Sequence, residues 1–294
     1  DQTIFARDKI FGYETSNVKN LLFQKSKSQI NLDDIQNLLL SDLEILSDEN
    51  DNIVFKKIQN FKNNKHVIVD IENYSQLKKF SLIIKKLIKQ KKFLFRTAAS
   101  FISSISEKTS VPQGETFFSS LRIRNKEKRF LPGLIIVGSY VEISTIQLNN
   151  LLKASTCEPI ELNVFEFYRI TSSRNKKRQR SLFKNKFLRD IRFSFEKGKT
   201  PVLFTSRKFM SLDDSDQLNF YNSLALFIAE LVADLKYEIG YLISKGGITT
   251  NVILSNGLNA DYVYLEGQIL TGISVVTTDV KDDKKLPIVT HPGN

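Results

Sequence analysis

Leu134-Ile135-Ile136-Val137-Gly138-Ser139 and Tyr241-Leu242-Ile243-Ser244-Lys245-Gly246-Gly247-Ile248-Thr249-Thr250 are the stretches that decide the fold. Each is a short apolar run, read as a strand, that empties into a small polar loop containing glycine. A third run, Leu286 to Thr290, ends the same way in His291-Pro292-Gly293-Asn294. Strands alternating with helical patterns point to an α/β layer arrangement with a mainly parallel sheet flanked by helices. In such a sheet the carboxyl ends of the strands line the ligand crevice, so these three loops are expected to meet around one ligand.

Working outward, a helix is expected from about Ser144 to Leu152 and a strand over Glu161 to Tyr168, where apolar and polar side chains alternate. Pro201 to Phe204 reads as a strand. Ser211 with Asp214 opens a long helix whose stripe, Leu218, Tyr221, Leu224, Ile228, Leu231, Val232 and Leu235, faces the sheet. Gln268 to Thr277 reads as one more strand, and the helix after Gly246-Gly247 is expected to begin near Thr250. Towards the N-terminus, Asn31 or Asp33 caps an expected helix carrying Ile35, Leu38, Leu39, Leu43 and Leu46. Val67 to Asp70 is a buried strand, Leu77 to Ile88 an amphipathic helix, and Phe93-Leu94-Phe95 a second short strand. The polar, turn-rich residues 106 to 132 carry the domain boundary. The fold class is therefore two α/β domains, residues 1–125 and residues 126–294, the glycine loops of the second making it the candidate nucleotide-binding domain.

A chain of 294 residues with 41% hydrophobic and 26% charged residues has the balance of folded globular domains. Its apolar runs fall far short of the roughly 20 residues a membrane-spanning helix needs, and no export signal is visible, so a soluble, cytoplasmic setting is expected. Cys157 is the only cysteine, which excludes an intramolecular disulfide and a cysteine-based zinc cluster. No metal-ligand set is expected from the protein. A net charge of +11 favours anionic partners without choosing among them.

Glycine lets backbone N–H groups close on phosphate oxygens, and a helix start adds further unpaired N–H groups. Gly246-Gly247 fits this best, with Thr249 and Thr250 as added hydroxyls; a plain turn with Thr250 as a cap fits the spacing equally well. It is not a Walker A sequence, since Lys245 precedes the glycines. Ser139 lacks the surroundings of a hydrolase nucleophile and is a ligand contact or an ordinary loop serine. His291 is read as a surface loop histidine. The basic run from Arg174 to Arg192 would bind a polyanion if its cations were free, but Phe183, Phe187 and Phe193 lie at spacings suited to packing. It is read as a core-facing helix with a solvated basic side, and nucleic acid is the alternative partner.

Together these segments resemble the four-carbon acid sugar kinases. The resemblance rests on Thr3-Ile4-Phe5-Ala6-Arg7-Asp8 with Phe11-Gly12-Tyr13, and on Arg96-Thr97-Ala98-Ala99-Ser100-Phe101. It continues in Val137-Gly138-Ser139, Lys245-Gly246-Gly247-Ile248-Thr249, Gly267-Gln268-Ile269-Leu270-Thr271-Gly272 and Pro292-Gly293-Asn294. It implies an ATP-dependent, Mg2+-assisted phosphoryl transfer to the terminal hydroxyl of a sugar acid such as threonate, erythronate or a 3-oxo-tetronate. ATP contacts are implied at Ser139, Gly246, Gly247, Ile248, Thr249 and Gly293. Arg7, Asp8 and Arg96 are candidates for the substrate cleft on charge alone, with surface ion pairs as the equal alternative. The family's N-terminal segment with its paired aspartates is absent and the family continues beyond Asn294, so the chain reads as a fragment. No catalytic base is named; a homodimer and a binding subunit without turnover are both compatible.

Overall fold

The computed structural model describes residues 6, 12–27, 29–44, 51–62, 65–106, 113–139, 141–207, 214–270, 272–280 and 284–292. They form two compact units, Asp1–Thr109 and Ser110–Asn294.

The first unit holds α1 (Val18–Lys25), β1 (Ile35–Leu38), α2 (Leu40–Glu44), α3 (Asp51–Asn60), β2 (His66–Val69), α4 (Tyr74–Leu87) and α5 (Ala99–Ser106). β1 and β2 pair in parallel, Ile35 opposite His66 and Leu38 opposite Val69. The helix expected across Ile35 to Leu46 is instead one 3-10 turn, Leu32–Asp34, followed by strand β1 and short helix α2. Asn31 does cap, accepting the Asp33 N–H at 3.1 Å, but for that single turn. Ile35 and Leu38 are spaced like neighbours on a helix face, and a four-residue run cannot distinguish that from a strand; parallel pairing with β2 decides it. Phe93-Leu94-Phe95 forms no strand. The Phe93 and Phe95 rings stack at 5.6 Å while Leu94 is fully exposed. α4 forms as expected and is started by a capping box, Asn73 Oδ1 accepting from the Gln76 N–H and Gln76 Oε1 from the Asn73 N–H. Its Leu77, Phe80, Ile84 and Leu87 pack with Leu38, Val54, Ile58 and Phe101 to make this unit's core.

The second unit opens with α6 (Glu115–Leu121) and continues through β3 (Gly133–Val137), α7 (Glu142–Leu151), β4 (Cys157–Leu162), α8 (Val164–Thr171), α9 (Lys176–Glu196), β5 (Thr200–Thr205) and α10 (Asp214–Leu235). Then come β6 (Tyr241–Lys245), α11 (Gly247–Val252), one π-helical turn (Ile253–Gly257), β7 (Tyr264–Leu270), β8 (Ile273–Asp279) and β9 (Lys285–His291). Residues 113–125, grouped by the sequence pattern with the first domain, bond into this unit: the Ile123 N–H donates to the Gly240 carbonyl and the Gln113 N–H to that of Gln268.

Its seven strands lie in the order β4-β5-β3-β6-β9-β8-β7. The first five run parallel and β8 runs against them. All five residues of β3 are buried, as a strand covered on both faces must be. Leu134 and Ile136 face a core shared with α8, α9 and α10, centred on Phe167 and Phe227, whose ring centroids lie 5.1 Å apart. Ile135 and Val137 face the other side, against Leu148 of α7 and Val202 of β5. Each such aliphatic or aromatic side chain, fully buried, contributes about 1.5–3 kcal/mol.

Two expectations are corrected here. Val164 to Tyr168 alternates like a strand but is helical: Asn163 Oδ1 accepts from the N–H groups of Phe165 and Glu166, and Val164, Phe167 and Ile170 bury one face. Gln268 to Thr277 is not one strand but the end of β7 and the start of β8, paired antiparallel as a hairpin, and Gly272 between them has φ +82°, a left-handed conformation suited to glycine. β7, at the sheet edge, shifts register twice against β8 and leaves Leu265 and Leu270 exposed. The proposed Ser211 cap and the side chain of Leu218 lie outside the described residues, while Leu224, Ile228, Leu231, Val232 and Leu235 are buried as expected.

Candidate nucleotide site

β3 and β6 are neighbours in the sheet, yet the chain leaving β3 crosses to β4 on one side and the chain leaving β6 goes on towards β7 on the other. Opposite departures from adjacent strands open a crevice above their carboxyl ends, which is where ligands bind in sheets of this kind. Val137 and Lys245, the last residues of the two strands, are register partners. The Gly138 N–H then donates to the Lys245 carbonyl at 3.0 Å, and the Gly246 N–H to the His291 carbonyl of β9 at 3.0 Å. Backbone bonds thus join the three glycine-bearing strand ends side by side.

The two loops after β3 and β6 interlock. A Cβ on Gly138 would fall 2.0 Å from Oγ1 of Thr249, so this position must be glycine if Thr249 is to sit beneath it. Gly246 has φ +119°, and its missing Cβ would lie 3.3 Å from the Ser139 backbone N. Thr250 is held by its N–H on the Gly246 carbonyl at 2.9 Å and by its hydroxyl 2.8 Å from that of Ser244. Gly247 differs from both: a Cβ there would meet nothing within 4 Å, so this glycine faces open space. The Ile248 side chain is exposed, leaving its main chain as the part of that residue that can serve the loop.

Cations surround this cradle. Lys245 is buried, with Nζ 3.1 Å from His291 Nδ1 and 3.1 Å from the Pro292 carbonyl, and burial pushes its amine below the usual lysine range. His291 is therefore part of the cradle, not the detached surface histidine expected. Arg207, just past β5, donates from Nη1 to the Ser139 carbonyl, and the Ser144 hydroxyl lies 3.0 Å from that of Ser139. Burial pushes the Arg207 guanidinium below its ordinary value, with the charge of Glu161 acting the other way. In the sequence Lys245 counts against a Walker A motif and opens one segment of the family resemblance, with no role of its own, and Arg207 was missed. The available signal was a cation two residues beyond the end of a parallel strand.

Of the other expected contacts, Gly293, Arg7 and Asp8 lie outside the described residues, and Arg96 is exposed on the segment between α4 and α5. Among the described residues no three His, Cys, Asp or Glu side chains are grouped to hold a metal ion, and no helix is long and apolar enough to cross a membrane. The hydroxyls and cations of the cradle suit phosphate oxygens; they do not offer a bare divalent ion the carboxylates it prefers.

The basic helix α9 is a different surface. Phe183 and Phe187 are buried as expected, joined by Ile191, but Phe193 is 54% exposed, with Lys197 Nζ 4.3 Å from its ring centroid. Arg180 pairs with Glu230 through two hydrogen bonds of 2.7 and 2.9 Å, Lys184 with Asp234 at 2.8 Å, and Arg192 with Glu238 through bonds of 2.9 and 2.7 Å. These pairs tie α9 to α10 and its end, and take three of the cations away from any polyanion.

Two family models match the chain: a nucleotide-binding C-terminal domain over residues 134–294 and a sugar-binding N-terminal domain over residues 1–105. No curated protein sequence matches. Among solved structures, a Salmonella typhimurium LT2 protein provisionally described as a tRNA synthase superposes with a TM-score of 0.64 at 12% identity, covering 100% of this chain and 63% of that one. A domain of unknown function from Bordetella bronchiseptica, crystallised with citrate as a domain-swapped dimer, gives a TM-score of 0.42 at 15% identity, covering 99% of this chain and 60% of that one. The chain thus spans less than two thirds of these relatives. It belongs to the family that joins a sugar-binding N-terminal domain to a nucleotide-binding C-terminal domain, the architecture of the four-carbon acid sugar kinases.

Proposed function

We propose that this family member serves an ATP-dependent kinase reaction in which a phosphoryl group passes to the terminal hydroxyl of a four-carbon sugar acid of the threonate, erythronate or 3-oxo-tetronate type. The supporting observation is the interlock of the β3 and β6 loops, which places Ser139, Gly246 and Thr249 within one cradle beside two buried or half-buried cations. In the proposed site Ser139, Gly246, Gly247, Ile248, Thr249 and Gly293 contact ATP, mostly through main-chain N–H groups. The sugar acid belongs to the N-terminal domain, with Arg7, Asp8 and Arg96 as its candidate contacts.

The chemistry asks little covalent work of the protein. The acceptor oxygen bonds to the terminal phosphorus, the bond to the ADP oxygen breaks, and the acceptor proton passes to water; catalysis is positioning and charge stabilisation. Mg2+ would enter on the nucleotide and supply further neutralisation of phosphate charge. Fixed N–H dipoles from a glycine loop, with Lys245 holding the β9 end in place, are suited to the positioning role.

Thermal unfolding with and without ATP·Mg2+ is the test. At 100 times Kd a native-state ligand adds about 2.7 kcal/mol, a shift readily seen in the melting temperature. Gly247→Val should melt like the parent, because its side chain enters open space, yet show no shift, because that space is where phosphate sits. An unmoved melting temperature for the parent chain at millimolar nucleotide would overturn the proposal.

A further inference from the structure

We propose that Arg207 is a nucleotide-binding residue of this site, its guanidinium reaching from the β5 end across the Ser139 carbonyl to grip the outer phosphates. The inference rests on the nucleotide reading above and adds a side chain that neither the loop motifs nor the glycine geometry indicates.

Three observations lead to it. β5 is the neighbour of β3 in the sheet, Val137 standing opposite Phe204, so Arg207 emerges on the same edge as Gly138 and Ser139. Its Nη1 donates to the main-chain carbonyl of Ser139, which anchors the guanidinium against the cradle. The remaining nitrogens, Nε and Nη2, are buried and have no partner among the described residues, and no ion pair reaches them there. An arginine carries five N–H donors in a planar fork, and a buried donor left unpaired costs about 1–3 kcal/mol. Phosphate oxygens match that fork in geometry and charge.

The other arginines show that this state is particular. Arg122 also has a buried, unpartnered Nε, but its guanidinium lies 4.5 Å from the Phe130 ring centroid and 5.0 Å from that of Tyr241, with Nη2 on the Leu131 carbonyl. Aromatic faces therefore account for its charge. Arg180 and Arg192 are held two-handed by carboxylates. Arg207 has the Ser139 carbonyl, one ring, that of Phe204, at the longer distance of 5.9 Å, the charge of Glu161 and the cradle beside it.

The experiment compares titration of ATP and AMP into the parent chain, Arg207→Gln and Arg207→Lys. Gln keeps a donor for the Ser139 carbonyl and removes the charge; Lys keeps the charge and removes the fork. The expected result is an ATP affinity lower by about 10- to 100-fold in Arg207→Gln, the scale of one or two charge-assisted bonds, with a smaller loss in Arg207→Lys and AMP affinity almost unchanged. Unaltered ATP affinity in Arg207→Gln, or equal losses for ATP and AMP, overturns the inference. A parent chain that binds no ATP defeats the nucleotide reading itself. If the variants do not fold, phenylglyoxal labelling of Arg207 in the parent chain decides: inorganic triphosphate should slow it and adenosine should not, and equal labelling with triphosphate and without it refutes the assignment.

Discussion

The α9 face and the carboxyl edge of the sheet are both positively charged, and they keep that charge in opposite ways. On α9, Arg180, Lys184 and Arg192 meet Glu230, Asp234 and Glu238, carboxylates spaced four residues apart like the lysine and arginine that begin the series. These are half-exposed pairs between two packed helices, and their work is local. At the sheet edge Lys245 and Arg207 are few, buried or half-buried, and met by carbonyls, a histidine, the Phe204 ring and the charge of Glu161, with no ion pair among the described residues. Abundance of charge therefore says little about a binding site, whereas dehydrated charge without a counter-ion says a good deal.

The difference can be broken most forcefully at Gly138. Gly138→Val drives a side chain into Thr249 and should cost about 1–3 kcal/mol of stability by overpacking, together with all measurable ATP binding. Urea unfolding and calorimetric titration read the two losses, and an intact ATP isotherm would mean the interlock is irrelevant to the ligand. A smaller effect is expected on the helical face. Arg180→Ala, Lys184→Ala and Arg192→Ala should each lower stability by about 0.2–1 kcal/mol in urea and leave ATP affinity within about twofold of the parent. A marked loss of nucleotide binding there would erase the distinction between the two regions.

The smallest effect concerns Glu158 on β4. Hydrogen bonds from Lys199 and Lys197 hold its carboxyl below the ordinary glutamate value of 4.5. A carboxylate with a depressed folded pKa stabilises the protein above its unfolded value, and that contribution fades as pH falls through the folded one. Glu158→Gln should thus melt slightly below the parent at neutral pH, with the gap closing in acid. A gap that persists at low pH would show that the pair acts through packing and not through charge.

Strands β3, β6 and β9 were legible because they are short, mostly apolar and run into loops that carry glycine. Leu134 to Val137 cannot easily be anything else, and Gly246-Gly247 marked a loop, which in the structure interlocks with Gly138 and Ser139. Failures fell where two periodicities coincide over a few residues. Ile35 and Leu38 fit a helix face and also a four-residue strand, and only the partner strand β2 decides. Val164 to Tyr168 alternates, yet the cap at Asn163 outweighs the alternation. Arg207 was illegible for a different reason: one cation after a strand has no pattern at all, and its meaning comes from the Ser139 carbonyl, distant in sequence, that it touches.

The uneven pairing of β7 has a consequence of its own for how this chain behaves in a crowded solution. A border strand bearing Leu265 and Leu270 would invite another molecule to extend the sheet if its amides and carbonyls formed an unbroken rank. Two slips of register, a glycine at φ +153° and the Gln113 amide already seated on the Gln268 carbonyl interrupt that rank. The oily border is thereby kept from acting as a template for aggregation.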